Sequence, residues 1–231
     1  MGVFKIIYDF AWQDGGRANF NLDLDEDSLL LLNKPSADLP EWTQLDYCKC
    51  MNCPLDSAEF PRCPAATGFV PVVKQFASVS ADLEIEIETV IADRRIIQKA
   101  PARRAVSSII GLLFASSGCP HTAHFRPMVR YHIPLSDENE TMMRAASMYT
   151  LSQYFKFQEG EQPDLELLGL KKIYEELQIV NRIMAERLQA ADGTDISINT
   201  MILLDMYAHT IPYKIEDSLN NLRYLFKPVP T

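Results

Sequence analysis

The stretch that decides the fold class is LEIEIETVIADRRIIQKAPARRAVSSIIGLLFASS, residues 83–117. Over residues 83–88, apolar residues alternate strictly with glutamate, which predicts a half-buried strand with one acidic, solvent-facing side. From Pro101 onward the pattern changes to a helical period. Residues 102–117 predict a mostly apolar helix, which ends at the glycine and proline that follow. The change of period near Pro101 therefore separates a strand-rich part of the chain from a helical part.

The residues before this stretch extend the strand-rich part. Residues 3–10 and 18–24 are apolar-rich or alternating and flank an Asp-Gly-Gly turn signal, which predicts a β-hairpin. The short apolar run at 28–33 predicts a third strand. Residues 65–77 predict a helix that Pro71 divides into two pieces.

The residues after the decisive stretch predict helices throughout. We expect a helix at 138–157 in a central position, an amphipathic helix capped by Asp164 and ending near 190, and two more at 196–209 and 215–226. Strands followed by helices are typical of the α+β class. The prediction is one α+β domain over 1–231, with an N-terminal antiparallel sheet packed against a C-terminal helical half. In this scheme 1–100 holds the strands and a cysteine-rich loop, and 101–231 is mainly helical.

Composition excludes several classes of function. The chain has 231 residues, a net charge of -9 and a pI of about 5.0. Proteins that bind nucleic acid generally, or anionic membrane surfaces, need clustered excess positive charge, so neither partner is expected. The N-terminus lacks the pattern of a signal peptide, and no apolar run is long enough to span a bilayer. These features predict a cytoplasmic protein, in which thiols stay reduced.

The five cysteines are the most informative residues. Four of them supply a complete tetrahedral ligand set, which predicts a structural zinc site at Cys50, Cys53, Cys63 and Cys119. Additional or substitute ligands are Cys48, His121 and His124. An iron–sulfur cluster fits the same ligand count, but zinc is the simpler expectation for a closed structural site. The alternatives are reactive thiols and thiols that only pack as small apolar side chains.

The segment around these cysteines supports the zinc interpretation. Residues 34–64 are rich in proline, aspartate and cysteine and lack any period, which predicts a long loop. Such loops are uncommon in compact domains unless something besides backbone pairing holds them. Cys53, Cys63 and Cys119 each precede a proline, which ends regular structure at that residue. With Pro64 in a first turn, the Cys63 thiol lies at a helix N-terminus.

A second cluster of functional side chains lies between two predicted helices. Arg126, Arg130 and His132 are candidates for anion binding. The prolines at 127 and 134 flank a segment that predicts a short strand, on which Arg130 and His132 share one face. The cluster lacks an orienting third group, so a hydrogen-bonded connector is favoured over a catalytic site.

Two functional classes follow from these candidates. The first is a non-enzymatic regulatory or accessory module that is stabilised by its cysteine site and contacts a protein or small-ligand partner. The second is a thiol-dependent enzyme or redox protein that uses Cys119 or Cys63. The absence of a complete catalytic constellation favours the module, and the residues leave open whether the chain is an enzyme. The amphipathic helix that ends near 190 offers a surface for a homodimer.

Several motifs together carry a resemblance to a known family. They are C-x-x-C-P-L at 50–55, C-P-A at 63–65, S-G-C-P at 117–120, P-M-x-R-Y-H-I-P at 127–134 and E-T-x-x-R-A-x-S-M-Y at 140–149. The chain resembles a bacterial family of unknown function over most of its length. The resemblance implies a bacterial protein that forms a single unit, and it implies no activity. Cys48 is an extra cysteine beside the family-like pattern.

Overall fold

A computed structural model describes residues 2–35, 38–190, 219–220 and 222–226. Its four named strands are β1 (Val3–Trp12), β2 (Arg17–Asp25), β3 (Glu84–Ile91) and β4 (Arg94–Pro101). They form one sheet in the order β2-β1-β3-β4, and all three neighbouring pairs are antiparallel. The predicted hairpin and the predicted strand at residues 83–88 are therefore confirmed.

The alternation along β3 sets the two faces of the sheet. Ile85 and Ile87 are buried, whereas Glu84 and Glu86 are exposed, because successive side chains of a strand point to opposite faces. On the inner face, Tyr8 and Phe10 of β1 are also buried. On the outer face, glutamates of β3 pair with cationic side chains of β4. The acidic, solvent-facing side of this strand is thus confirmed.

The helices follow the predicted order. They are α1 (Pro64–Gln75), α2 (Ala102–Ser116), α3 (Arg126–Arg130), α4 (Glu138–Gln158) and α5 (Leu168–Ala190), with short 3-10 helices at Glu41–Thr43 and Pro120–Phe125. As expected, the Asp164 carboxylate caps the first turn of α5, because it accepts the Gly169 N–H at 2.7 Å. The strands precede most of the helices, so the α+β class is confirmed.

Two apolar clusters position the sites described below. The larger one joins the inner face of the sheet to α1, α2 and the second half of α5. The smaller one joins α4 to the first half of α5 through Met142, Ala145, Tyr149, Leu170 and Tyr174. Helix α2 lies at the centre, because ten of its fifteen residues are buried. Burial of this apolar surface is the main stabilising contribution to the fold.

Four expectations are wrong in detail. Leu31 forms only an isolated bridge to Leu24, so no third strand follows the hairpin. Helix α1 continues through Pro71, which removes one hydrogen bond without dividing the helix. Helix α4 is not central, since its C-terminal half exposes Leu151, Tyr154, Phe155 and Phe157. Finally, the expected strand between the prolines at 127 and 134 does not form, because these residues begin in α3 and continue into a turn.

The predicted helix at 196–209 lies outside the described residues, as do residues 215–218 and 221 of the one at 215–226. Of the latter, residues 219, 220 and 222 are helical and Arg223–Phe226 is a 3-10 helix. Within the described ranges, no helix is both long enough and apolar enough to cross a membrane.

Candidate functional site

The loop at residues 34–64, which carries four of the five cysteines, is better held than its sequence suggests. Trp42 and Leu45 are buried, and the backbone of Thr43 accepts the Cys63 N–H at 2.8 Å. Arg62 crosses the loop and donates to the Thr43 hydroxyl at 2.6 Å and to the Pro40 carbonyl at 2.8 Å. Apolar burial and side-chain hydrogen bonds therefore hold this loop in addition to backbone pairing.

Two of the cysteines occupy equivalent positions at the start of a helix. Cys63 is the N-cap of α1 and Cys119 is the N-cap of the 3-10 helix Pro120–Phe125, each followed by proline at the first helical position. Their backbone angles are nearly the same, with φ of -69° and ψ of 118° at Cys63, and φ of -64° and ψ of 126° at Cys119. The predicted placement of Cys63 is confirmed, and Cys119 repeats it.

The other pair lies in a tight turn. The Cys53 N–H donates to the Cys50 carbonyl at 3.0 Å, which is the turn that C-x-x-C spacing favours. Both side chains are half-buried, as are those of Cys63 and Cys119, whereas Cys48 is exposed. Cys48 also has a left-handed backbone, with φ of 47°. Cys48 therefore stands apart from the other four in burial.

Electrostatic interactions demonstrate that the four half-buried thiols are neighbours. The pKa of Cys50 is raised to about 12, first by burial and then by the charges of Cys63, Cys119 and Cys53. Burial also raises the pKa of Cys119 to about 11, with contributions from Cys63 and Cys53. We call Cys50, Cys53, Cys63 and Cys119 the thiol cluster. The fold thus brings together residues that are up to 69 positions apart in the sequence.

The thiols neighbour one another without forming a coordination shell. Among the described residues, no three His, Cys, Asp or Glu side chains are already arranged to hold a metal ion. The effects of the thiols on one another's pKa indicate that they are close together. A metal shell requires more than proximity, because the sulfurs must point at one centre. Metal binding at the thiol cluster would need side-chain rotation and loss of the thiol protons.

Hydrogen-bond donors surround Cys119. The backbone N–H groups of His121 and Thr122 act against the rise in its pKa, and the Thr122 N–H donates to the Cys119 carbonyl at 3.1 Å. The Cys119 N–H itself is held by the Ser117 hydroxyl at 3.1 Å. Donors at the start of a helix stabilise negative charge on a sulfur, as a metal-bound thiolate requires.

A fully buried arginine lies beside the thiol cluster. Arg187 of α5 is 1% exposed, and its positive charge lowers the pKa of Cys50. Its two terminal nitrogens donate to four backbone carbonyls, those of Trp42, Gln44, Leu45 and Cys48, at 2.5 to 3.3 Å. Its Nε has no hydrogen-bond partner in the described part of the chain. Arg187 thus ties the cysteine loop to α5 and places an uncompensated positive charge next to the thiols.

Arg187 was not among the candidate residues predicted from the sequence, although a signal for it was present. Val180, Met184 and Leu188 form the apolar stripe of α5, and Arg187 falls one heptad after Val180 on the same face. The periodicity of the helix could have placed this arginine in the core. It could not have named the acceptors, because they lie about 140 positions away in the sequence.

The histidines named as substitute ligands are engaged elsewhere. Nε2 of His121 lies 2.7 Å from the Asn52 carbonyl, and Asn52 in turn donates to the Glu176 carboxylate at 2.6 Å. His121 thus connects the C-x-x-C turn to α5. The ring of His124 packs against Phe125 and Tyr149, and burial lowers its pKa. Their role as ligands, like that of Cys48, stays a prediction.

The three anion-binding candidates do not share one face. Arg126 donates to the Ala123 carbonyl at 3.2 Å. Arg130 lies over the Phe4 ring at 4.6 Å, with a nitrogen 3.8 Å from the Glu26 carboxylate. His132 is buried and hydrogen-bonds the Tyr8 hydroxyl, and burial lowers its pKa to about 3. The expectation that Arg130 and His132 lie together on a strand is wrong, because α3 and a turn replace the strand.

The pKa values of Cys50 and Cys119 bear on the alternative of a thiol-dependent enzyme. A catalytic cysteine works as a thiolate and has a depressed pKa. The pKa of Cys119 is raised, as is that of Cys50, so neither thiol is activated in this arrangement. A divalent metal would reverse this by replacing the thiol protons.

Comparison with known proteins places the chain in a family. The family model Domain of unknown function (DUF6901) matches residues 6–227, and the chain belongs to this family. No curated protein and no solved structure matches the chain.

Proposed function

We propose that this member of the DUF6901 family is a non-enzymatic accessory or regulatory module of the bacterial cytoplasm, whose thiol cluster holds one structural zinc ion. The observation that carries the proposal is the meeting of four cysteines from three separate segments, a turn and two helix starts, around mutually interacting sulfurs. Four thiolates are a complete ligand set for zinc.

The charge around the thiol cluster supports the same proposal. A zinc ion with four thiolates carries a net charge of about -2. Arg187 supplies a buried positive charge beside the cluster, and within the described residues it has carbonyl acceptors but no carboxylate partner. Buried charges in proteins are stable when they are compensated. A zinc–thiolate centre would provide that compensation.

Zinc at this position would join two parts of the fold. Cys50 and Cys53 belong to the loop before α1, and Cys119 follows the central helix α2. A shared ion would cross-link loop and helix, so its binding energy would add to the stability of the fold. With the loop fixed, the outer surfaces of the module are available to a protein or small-ligand partner, or to a second copy of the chain.

The decisive experiment is metal analysis of tag-free protein, with Cys48 as the built-in control. We expect one zinc per chain in the wild-type protein and in Cys48→Ser. Cys63→Ser and Cys119→Ser should bind substantially less zinc and unfold at lower temperature. In native protein, a thiol reagent should modify Cys48 rapidly and the thiol cluster only after chelation.

Two results would contradict the proposal. One is protein that contains no zinc and takes up none when it is refolded with the metal present. The other is zinc that falls by the same amount in Cys48→Ser as in Cys119→Ser, which would place the ion elsewhere. Iron and sulfide in the metal's place would keep the ligand set and overturn the assignment to zinc.

A further inference from the structure

A cavity of about 180 Å³ lies between α2, α3, the first turns of α4 and the middle of α5. Most of its wall is apolar, with Leu112, Phe125, Met128 and Leu177 among the lining residues. An apolar cavity of about 150 Å³ is large enough for one benzene molecule. The space therefore suits a molecule with a single ring or a short aliphatic chain.

Polar side chains line the same cavity, and three of them have atoms that make no hydrogen bond within the described residues. Tyr174 and Asn181 are only 3% and 2% exposed, and their side chains make no hydrogen bond to any residue that the structure describes. Both lie on the face of α5 that also presents Leu177, because positions three and four apart are neighbours on a helix. Nε of Arg144, also in the lining, is buried and has no partner in the described ranges.

Unpartnered polar groups of this kind require an explanation. Nearly all buried polar groups in proteins are hydrogen-bonded, since desolvation without a partner is unfavourable. In the described part of the chain, Nε of Arg144 is such a group, and Tyr174 and Asn181 of α5 line the same small space. Their available atoms include an N–H of Arg144, the hydroxyl of Tyr174 and the amide of Asn181, so they can act together as hydrogen-bond donors.

The charge of the cavity indicates which acceptor fits. Among the described residues, its lining includes Arg104 and Arg144 but no aspartate or glutamate, although the chain as a whole carries a net charge of -9. Arg144 donates to the Ser136 hydroxyl at 3.0 Å and to the Met128 carbonyl at 3.2 Å. Glu140 acts on Arg144 electrostatically, but its carboxylate accepts the Asp137 N–H in the capping box of α4. The cavity thus has a positive end and apolar walls.

We propose that this cavity binds a small monocarboxylate with an apolar body of about one aromatic ring. The carboxylate accepts hydrogen bonds from Arg144, Tyr174 and Asn181, and the ring lies against Leu112, Phe125 and Leu177. Guanidinium groups bind carboxylates strongly because both are planar and oppositely charged. Inorganic phosphate lacks an apolar body and would leave these walls unfilled.

The test compares benzoate with probes that each lack one of its features. Benzyl alcohol keeps the ring and lacks the charge, acetate keeps the charge and lacks the ring, and phosphate is a different anion. Binding is measured by calorimetry and by the NMR shifts of the side chains of Tyr174 and Asn181. We expect benzoate to bind more tightly than every other probe. Equal binding of benzoate and benzyl alcohol would overturn the proposal, as would no benzoate binding up to about 10 mM.

Matched variants test the named groups. Arg144→Met and Asn181→Leu should each weaken benzoate binding, by about tenfold for Arg144→Met because a charge-assisted hydrogen bond is lost. Arg182→Met is the control, since Arg182 is the exposed neighbour of Asn181 on α5. Binding of benzyl alcohol should change little in all three. If Arg144→Met does not fold, Asn181→Leu and Tyr174→Phe carry the test. Unchanged benzoate affinity in the folded variants would overturn the assignment.

Discussion

Arg187 and Arg144 both extend from a helix into the interior, but their surroundings differ. Arg187 is almost fully buried and makes four hydrogen bonds to backbone carbonyls of one loop. Arg144 is half-buried, makes two hydrogen bonds and lines a cavity. Both keep a buried Nε without a partner among the described residues, but the terminal nitrogens of Arg187 are bound to the loop, whereas Arg144 lines a cavity.

The difference shows how to separate a structural cation from a binding cation. Carbonyl acceptors satisfy N–H groups but do not neutralise charge, so both arginines lack a full counter-charge in the described part of the chain. Beside Arg187 the neighbouring groups are thiols, which become anionic when they bind a metal. Beside Arg144 the neighbour is a cavity, where a bound ligand would supply the anion.

The largest effect is expected at Arg187. Arg187→Met removes the donors of four buried carbonyls, and we expect it to lower the free energy of unfolding by about 3–5 kcal/mol. Arg144→Met removes two hydrogen bonds and also relieves desolvation of a charge, so its loss should be about 1 kcal/mol. Urea unfolding of both variants measures the difference directly.

Arg182→Met provides the control on the same helix, because Arg182 is exposed. Its effect on stability should be negligible. Zinc content of folded Arg187→Met should also fall, since the variant removes the positive charge beside the thiols. If the loss of stability in Arg187→Met is no larger than that in Arg144→Met, the two arginines contribute equally to the fold.

Much of the fold could be predicted from the sequence because its patterns are local. Alternation in β3 and the change of period at Pro101 determined the sheet and the central helix. The prediction of a third strand was wrong because the backbone after β2 makes one bridge and then turns to α2, where the Leu31 N–H donates to the Ser116 carbonyl. The predicted central position of α4 was wrong because apolar residues on its C-terminal half are exposed. The periodicity of a sequence does not distinguish an exposed apolar face from a buried one.

For the candidate site, the sequence predicted which residues take part but not how they meet. Cys-Pro steps and C-x-x-C spacing identified the four cysteines, because these motifs have local backbone consequences. Their convergence, the clamp by Arg187 and the cavity around Asn181 depend on contacts between distant segments. Such contacts leave no local pattern apart from a polar residue on an apolar stripe.

A smaller effect is expected from acid, through His132 beside Arg144. Burial, and secondly the charge of Arg144, lowers the pKa of His132 from 6.5 to about 3. The unfolded chain therefore binds a proton at higher pH than the folded chain. The stability from a neutral His132 is complete above pH 6.5 and is lost as the pH falls towards 3. At the limiting slope of about 1.4 kcal/mol per pH unit, the loss between pH 6 and 4.5 is about 2 kcal/mol.

His132→Gln keeps a hydrogen-bonding group near Tyr8 and cannot titrate, so it should abolish most of this slope. The free energy of unfolding is measured by urea at each pH for both proteins, and zinc content is recorded because acid also protonates thiolates. In Arg144→Met the slope should be shallower, since a nearby positive charge is gone. Identical slopes in the wild-type protein and His132→Gln would contradict the buried, neutral histidine.

The smallest effect is expected at an arginine that has its carboxylate partner and is exposed to solvent. Arg95 of β4 reaches Glu88 of β3 with two contacts, at 2.5 and 2.7 Å. Exposed ion pairs contribute little because water and salt screen them, so Arg95→Met should not change stability measurably at neutral pH. The pKa of Glu88 is lowered by the hydrogen bond from Arg95. The contribution of the pair is therefore complete above the ordinary pKa of glutamate and is lost as the pH falls from there through the lowered pKa of Glu88. NMR titration should show the pKa of Glu88 rising in Arg95→Met. A clear loss of stability in this variant would mean that an exposed arginine can contribute to the fold as much as the two interior arginines do.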